Sequence, residues 1–308
     1  MLLSGHIKSA LSTLGVYRHR LAVEPFPGVA VLAYHGVRPS ATVPMHFANL
    51  HVTADRLDEH CRALAGLGCS VLSLADWPRV AAGTMPAPPR AVMLTFDDGY
   101  RSVLTHALPV LERHGMPAAV FVCTAPVERQ VRFWFDAVAE QGGEGAVEAA
   151  KTLGYAEWRE IARRAEHRVD AGDPHAPLTI AELQRLASYP LITIGAHTVS
   201  HPILANAPPG VQREEIAGSC AALRTWLGRS PTSFAFPNGR PGVDYTAATL
   251  RALEENGIAH AFTTAAAFAN PRAAALEQPR FLMLNDLSGA ELAHRIAVAW
   301  PRAAGALA

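Results

Sequence analysis

Ala91-Val92-Met93-Leu94-Thr95-Phe96-Asp97-Asp98-Gly99-Tyr100 is the stretch on which the reading of this chain turns. An apolar run broken only by a threonine reads as a short β-strand. Two carboxylates and a glycine follow it at once. Within a regular strand, neighbouring side chains point to opposite faces. For Asp97 and Asp98 to face one site, the strand must end there and the backbone must turn, a freedom Gly99 supplies. An isolated Asp-Asp-Gly is an ordinary solvated turn; here it caps an apolar run.

A second stretch gives the first its meaning: Ile194-Gly195-Ala196-His197-Thr198-Val199-Ser200-His201-Pro202. On a helix, His197 and His201 would share a face. Pro202 disfavours helical geometry at His201, so the strand is expected to end at Gly195 and a loop to gather the imidazoles. Any single one of the 14 histidines is ordinarily a surface or core residue; this pair reads as metal ligands. Two histidines and one carboxylate hold a catalytic zinc and leave a position open for water. The metal lowers the pKa of that water, and the spare carboxylate can take its proton. Thr198 and Ser200 offer hydroxyls that could orient the ligands.

Around these stretches, strand and helix signals alternate. Strands are expected at Val29–Tyr34, Ser70–Leu74, Ala91–Phe96, Ala118–Cys123, Leu191–Gly195, Ser233–Phe236, Ile258–Thr263 and Phe281–Leu284. Helices are expected at Asp55–Ala65 behind an N-cap at Thr53, around Pro109 to a stop at Gly115, and at Ala181–Ser188 behind a Thr179–Glu182 capping box. Val211–Leu227, Thr246–Asn256 and Ala290–Trp300 follow, with Gly228 and Gly257 as stops. His35, Asp97-Asp98, His197 and Pro237-Asn238 each follow a strand. In a closed barrel those ends converge on one rim; an open doubly wound sheet gathers fewer of them. The fold class is therefore α/β, a distorted (β/α) barrel of seven or eight parallel strands. Residues 124–178 are too long for a loop and read as a helical insertion over the barrel mouth, with helices near Trp134–Glu140, Glu144–Leu153 and Tyr155–Glu166. The domain reading is an N-terminal helical segment (1–27), the barrel domain (28–300) and a C-terminal tail (301–308).

The chain has 308 residues, half of them hydrophobic, and 27 basic residues balance 27 acidic ones. That is enough for a sizeable core, and it gives no basic stripe for nucleic acid. Cys61, Cys69, Cys123 and Cys220 sit in apolar contexts with no CxxC pair, as buried free thiols do. Met1 to Arg20 lacks a signal-peptide pattern and reads as an amphipathic helix at Leu2–Tyr17. No apolar run is long enough for a transmembrane span. A cytoplasmic location is expected, with peripheral association with a membrane or with glycan-synthesis machinery left open.

Thr95-Phe96-Asp97-Asp98-Gly99, His197-Thr198-x-x-His201 and Phe236-Pro237-Asn238-Gly239 together resemble the polysaccharide deacetylase family, whose members share the NodB-homology domain. Tyr34-His35-Gly36-Val37 resembles its sugar-polymer branches. The resemblance covers roughly residues 28–285. It implies a distorted βα-barrel, a divalent metal with zinc first among candidates, and removal of N-acetyl or O-acetyl groups from amino-sugar polymers. By position, it makes Asp97 the general base and Asp98, His197 and His201 the metal ligands.

Two motifs depart from the family pattern. The family often has Arg-x-x-Pro-Tyr, the arginine steadying the base; this chain has Phe234-Ala235-Phe236-Pro237-Asn238. The residue after the proline offers its backbone N–H to the oxyanion, which Asn238 can still do; a plain turn at Pro237-Asn238-Gly239 is an equal reading. Arg280 is the candidate replacement cation, carried here as a substrate-binding residue, against the more ordinary surface salt bridge. The family's late Leu-x-His, whose histidine is the general acid, becomes Leu282-Met283-Leu284-Asn285. An amide cannot supply that proton. His35 is the candidate acid by location, with His260 and His294 behind it. Phe133, Trp134, Phe135, Tyr155 and Trp158 either stack on sugar or pack the insertion down, and Asp136 is a weak candidate for substrate contact.

The function expected is metal-dependent deacetylation of an amino-sugar polysaccharide or oligosaccharide precursor. Two alternatives stand beside it: an amidase on a small amide or formamide, and a catalytically weak glycan-binding protein.

Overall fold

The computed structural model describes residues 25–42, 45–170 and 172–304. Among the described residues there are ten strands: β1 (Ala30–Tyr34), β2 (Val37–Arg38), β3 (Val52–Thr53), β4 (Ser70–Val71), β5 (Ala91–Phe96), β6 (Ala118–Val122), β7 (Ile192–Ala196), β8 (Ser233–Ala235), β9 (His260–Phe262) and β10 (Phe281–Leu282). The eight expected from sequence form one sheet in the order β10-β1-β5-β6-β7-β8-β9, with β4 added beside β5. Every pairing in it is parallel. The sheet curls, and its ends approach each other. Thr263 N–H donates to Gln278 O and Gln278 N–H to Ala261 O, both at 2.8 Å, just before β10 begins. The expected irregular barrel is therefore the observed architecture. The short β2–β3 pair carried no sequence signal of its own, since two residues show no periodicity.

The strands alternate between two cores. Val31, Met93, Ala119, Phe121 and Phe262 point into the barrel, where Trp77 of a short helix plugs one end. Ala30, Leu32, Val92, Leu94 and Val120 point outward to the helices. Burial on both faces is why these strands read as continuous apolar runs. At Gly195 an added Cβ would lie 2.5 Å from Phe121 Cδ1, so the interior closes only over a glycine there.

The helices begin where their caps direct. Thr53 accepts from Arg56 N–H to open α1 (Ala54–Gly66). The short plug helix is α2 (Trp77–Ala81). A wide turn over Val103–Ala107 leads into α3 (Leu108–His114), which Gly115 ends at φ 60°. The insertion holds α4 (Thr124–Arg129), α5 (Trp134–Lys151) and α6 (Tyr155–Ala165). A non-helical Gly143, φ 76°, bends α5 between the two helical patterns read from sequence. Thr179 and Glu182 form the capping box of α7 (Ile180–Ala187). Then come α8 (Pro209–Leu227), stopped by Gly228, and α9 (Ala247–Glu255), capped by Thr246. The last helix, α10 (Gly289–Ala304), runs past its expected end at Trp300 into the stretch read as a tail. The expected N-terminal helix at Leu2–Tyr17 lies outside the described residues. All four cysteines are free thiols. Among the described residues, no helix is long and apolar enough to cross a membrane.

Register is what positions the site. Tyr34 pairs with Phe96, and Val122 with Ala196. Asp97 N–H donates to Tyr34 O at 2.9 Å and His197 N–H to Val122 O at 3.0 Å, so the ladders run on into the first functional residues. His35, Asp97 and His197 thus leave the barrel on the same rim.

Candidate active site

Asp98 has φ 72° and Gly99 φ 92°. The turn that swings both carboxylates inward therefore begins at Asp98 itself, one residue earlier than the glycine suggested. Thr198 (66°), His201 (59°) and Asn238 (56°) are also left-handed. Such backbone costs non-glycine residues free energy and persists where surrounding contacts over-determine it. At the histidine loop those contacts are visible. Glu215 of α8 accepts from Val199 N–H (2.9 Å), Ser200 N–H (2.8 Å) and Ser200 Oγ (2.6 Å). Thr198 Oγ1 accepts from His201 N–H, and Trp134 Nε1 donates to His201 O. Thr198 and Ser200 thus brace the loop backbone and touch neither imidazole, which corrects their expected role. Instead, His197 Nδ1 lies 2.7 Å from Ala235 O, which turns its Nε2 toward the cavity.

The ligand atoms of Asp98, His197 and His201 lie within 4.8 Å of one another. Asp98 Oδ1 is 3.4 Å from His197 Nε2 and 3.5 Å from His201 Nε2. It is buried and makes no hydrogen bond among the described residues. A buried carboxylate oxygen facing two imidazole nitrogens without bonding either is what a cation-binding point presents, so these residues fit a divalent metal. Burial pushes the Asp98 carboxyl up, and the imidazoles beside it more than reverse this, holding it well below the usual range. Burial and the neighbouring His197 push His201 down to about 3, leaving a neutral ring with a lone pair to offer.

Asp97 stands next to this cluster and is held by Arg280. The guanidinium donates from Nη1 to Oδ1 (2.8 Å) and from Nη2 to Oδ2 (2.7 Å), a bidentate pair. Its Nε donates to Thr263 O at 3.0 Å and its Nη1 also to Thr95 Oγ1 at 3.1 Å. Burial pushes Asp97 up, but Arg280 and His197 outweigh it, so the carboxyl sits below its ordinary value. Arg280 is fully buried and does not line the cavity. Its expected roles as a substrate contact or a surface bridge are both corrected: fully buried behind Asp97, it is out of reach of a sugar. Phe234, at the family's arginine position, is buried in the outer core.

The cavity beside these groups has a volume of about 270 Å³ and is lined by His35, Asp97, Asp98, His197, His201 and Asn238, among others. His35 keeps a buried Nδ1 with no hydrogen-bond partner among the described residues. Phe135 lies edge-on to His201 at 4.9 Å and joins the lining with Phe47 and Phe236. Trp134 and Trp158 instead pack the insertion's own core. Asp136 is fully buried against Tyr100 and His175, away from any substrate. Asn285 accepts from Thr53 N–H and fastens β10 to the start of α1. His260 packs near Trp77 and is absent from the lining, as is His294. The residue that sequence reasoning missed is Glu215; its only signal was an acid that falls on the buried face of a helix.

An all-parallel curled barrel that gathers two carboxylates, two imidazoles and a buried arginine at its carboxyl rim defines a hydrolase. A sequence profile described as polysaccharide deacetylase matches residues 84–261, more than half of the chain, and the chain belongs to that family. It is 27% identical over 284 residues to the poly-β-1,6-N-acetyl-D-glucosamine N-deacetylase of Escherichia coli K12, covering 90% of this chain and 40% of that protein. This chain thus spans less than half the length of that relative. Among solved structures, it superposes on the Streptococcus pyogenes deacetylase PplD in complex with acetate (TM-score 0.63, 21% identity, 88% of this chain and 99% of that one). It likewise superposes on IcaB from Ammonifex degensii (TM-score 0.63, 21% identity, 88% and 97%). At that identity the structures speak for the fold. The family profile contains Asp97, Asp98, His197 and His201, whereas His35 and Arg280 fall outside its bounds.

Proposed function

We propose that this chain is a metal-dependent N-deacetylase of an amino-sugar polysaccharide, with a polymer of N-acetylglucosamine as the substrate class. The observation that carries the reading is the convergence of Asp98, His197 and His201 beside an arginine-held Asp97 on one cavity. A divalent cation, zinc first, held by those three ligands would supply Lewis acidity toward the acetyl carbonyl.

The remaining work falls to the chain's own groups. Asp97, kept ionised and oriented by Arg280, accepts the proton of the attacking water. The backbone N–H of Asn238 donates to the oxygen on which charge develops. As the C–N bond breaks, His35 gives a proton to the leaving amine, so the products are acetate and a free amino sugar. The glycan-binding alternative rested on a missing arginine and a missing histidine. Arg280 on Asp97 and His35 on the cavity wall support the catalytic reading over it.

The test is acetate release from N-acetylated glucosamine oligomers of β-1,6 and β-1,4 linkage, with and without chelator. Release that stops with chelator and returns with Zn²⁺ is expected, and Asp97→Asn should keep the metal and lose the activity. Full turnover after chelation, or in that variant, refutes the mechanism; release only from small amides moves the assignment to an amidase.

A further inference from the structure

A second cluster lies in the cavity wall, where His51 itself joins the lining. Asp136 from the start of α5, His175 from the insertion's return segment and His51 from just before β3 present ligand atoms within 4.8 Å of one another. All three are buried, at 0%, 3% and 3% exposure. We propose that they form a second divalent-cation site, of the zinc class, that ties the insertion to the mouth of the barrel. None of the three is used in the catalytic reading above, so the proposal stands apart from it.

The hydrogen-bond bookkeeping points there. Asp136 Oδ2 accepts from the Tyr100 hydroxyl at 2.6 Å. Asp136 Oδ1 lies 3.0 Å from His175 Nδ1, yet among the described residues neither atom makes a hydrogen bond. The two atoms are close enough to attract each other but not aligned as a hydrogen bond, so both remain open to a shared cation. The same signature marks Asp98 Oδ1 with its two imidazoles. Charge balance agrees. Asp136 pairs with no Lys or Arg among the described residues; besides the Tyr100 hydroxyl its one partner is His175, and burial pushes its carboxyl up, so an ionised Asp136 there calls for a cation.

The surroundings are built to hold the ligands still. His175 N–H donates to Asp173 Oδ1 at 2.8 Å, and Asp173 pairs with Arg132 at 2.7 Å. His51 packs edge-on against both Tyr100 (4.9 Å) and His175 (5.7 Å). Arg38 Nε donates to His51 O at 3.0 Å. Burial, with His175 close by, holds the His51 imidazole well below its usual value, so a neutral ring is available as a ligand. Two imidazoles and one carboxylate suit Zn²⁺, with Co²⁺ as its spectroscopic stand-in.

The experiment counts metal. The full chain is stripped with chelator, reloaded with Zn²⁺ or Co²⁺, desalted and analysed for bound metal per chain. Two equivalents are expected for the wild type, and one for Asp136→Asn/His175→Gln. One equivalent is also expected for His197→Gln/His201→Gln, with Zn²⁺ raising its melting temperature. A wild type whose metal is lost entirely in His197→Gln/His201→Gln overturns the proposal, as does an unchanged metal content in Asp136→Asn/His175→Gln. If that variant fails to fold, His197→Gln/His201→Gln decides: one equivalent supports the second site and none overturns it. Because that variant lacks the first site, failure of the catalytic reading and failure of this one are separable.

Discussion

Arg280→Met tests whether the base is held by a cation drawn from the far end of the chain. The substitution removes two donors from Asp97, at 2.7 and 2.8 Å, one from Thr263 O and one from Thr95 Oγ1. Arg280 is fully buried and the Asp97 side chain is 4% exposed, so solvent does not screen the pair. Removing one partner of such a pair leaves a buried charge uncompensated and costs about 3–5 kcal/mol. For a chain of this size that corresponds to a fall in melting temperature of roughly ten degrees. The pH dependence has a definite sign. The Asp97 carboxyl lies below its ordinary value in the folded wild type, so its contribution to stability is fully present above the unfolded-chain pKa. It is lost as pH falls through the lower folded value. The stability gap between wild type and variant should therefore be widest near neutral pH and close in acid. Without the guanidinium, only the nearby histidines oppose the effect of burial on Asp97, and the acid limb of kcat/KM should move to higher pH. Urea unfolding across pH, paired with acetate release, measures both effects. The double variant Asp97→Asn/Arg280→Met should lose less than the sum of the two single losses. A destabilisation below about 1 kcal/mol, or additive losses, would refute the argument.

Further outcomes concern the rest of the site. His35→Gln should lower kcat by roughly 10²- to 10⁴-fold while bound metal is unchanged; an unaltered kcat assigns the acid elsewhere. Glu215→Ala frees three donors of the 199–200 segment, and Zn²⁺ affinity, read by chelator competition, should fall by about 10–100-fold. Gly195→Ala drives a methyl group to 2.5 Å from Phe121 Cδ1, so a loss of about 1–3 kcal/mol in urea unfolding is expected; a neutral result would mean that the barrel interior can yield there.

The features legible in the sequence are those set by near neighbours. β5 was read to its exact bounds as Ala91–Phe96 because both of its faces are buried and its apolar run is unbroken. Thr53, Thr179 and Thr246 marked helix starts because a capping hydroxyl meets an N–H only two or three residues ahead. Strand ends were overrun where burial outlasts pairing. Phe281–Leu284 shortened to Phe281–Leu282 because Met283, though buried, lies past the last paired residue. The resemblance supplied Asp97, Asp98, His197 and His201 as a set, and these are the residues the fold brings together.

By itself, then, the chain's order of residues determined the alternation of strands and helices, the barrel class and the rim on which the polar groups would gather. Periodicity, caps and turns act over a few residues and are written locally. Only the tertiary structure decided that Arg280 reaches Asp97 across 183 positions, that Glu215 braces the histidine loop, and that His51, Asp136 and His175 meet in the cavity wall. Such meetings depend on strand order, register and the path of the insertion, which arise from packing the whole chain at once and leave no mark on any one segment.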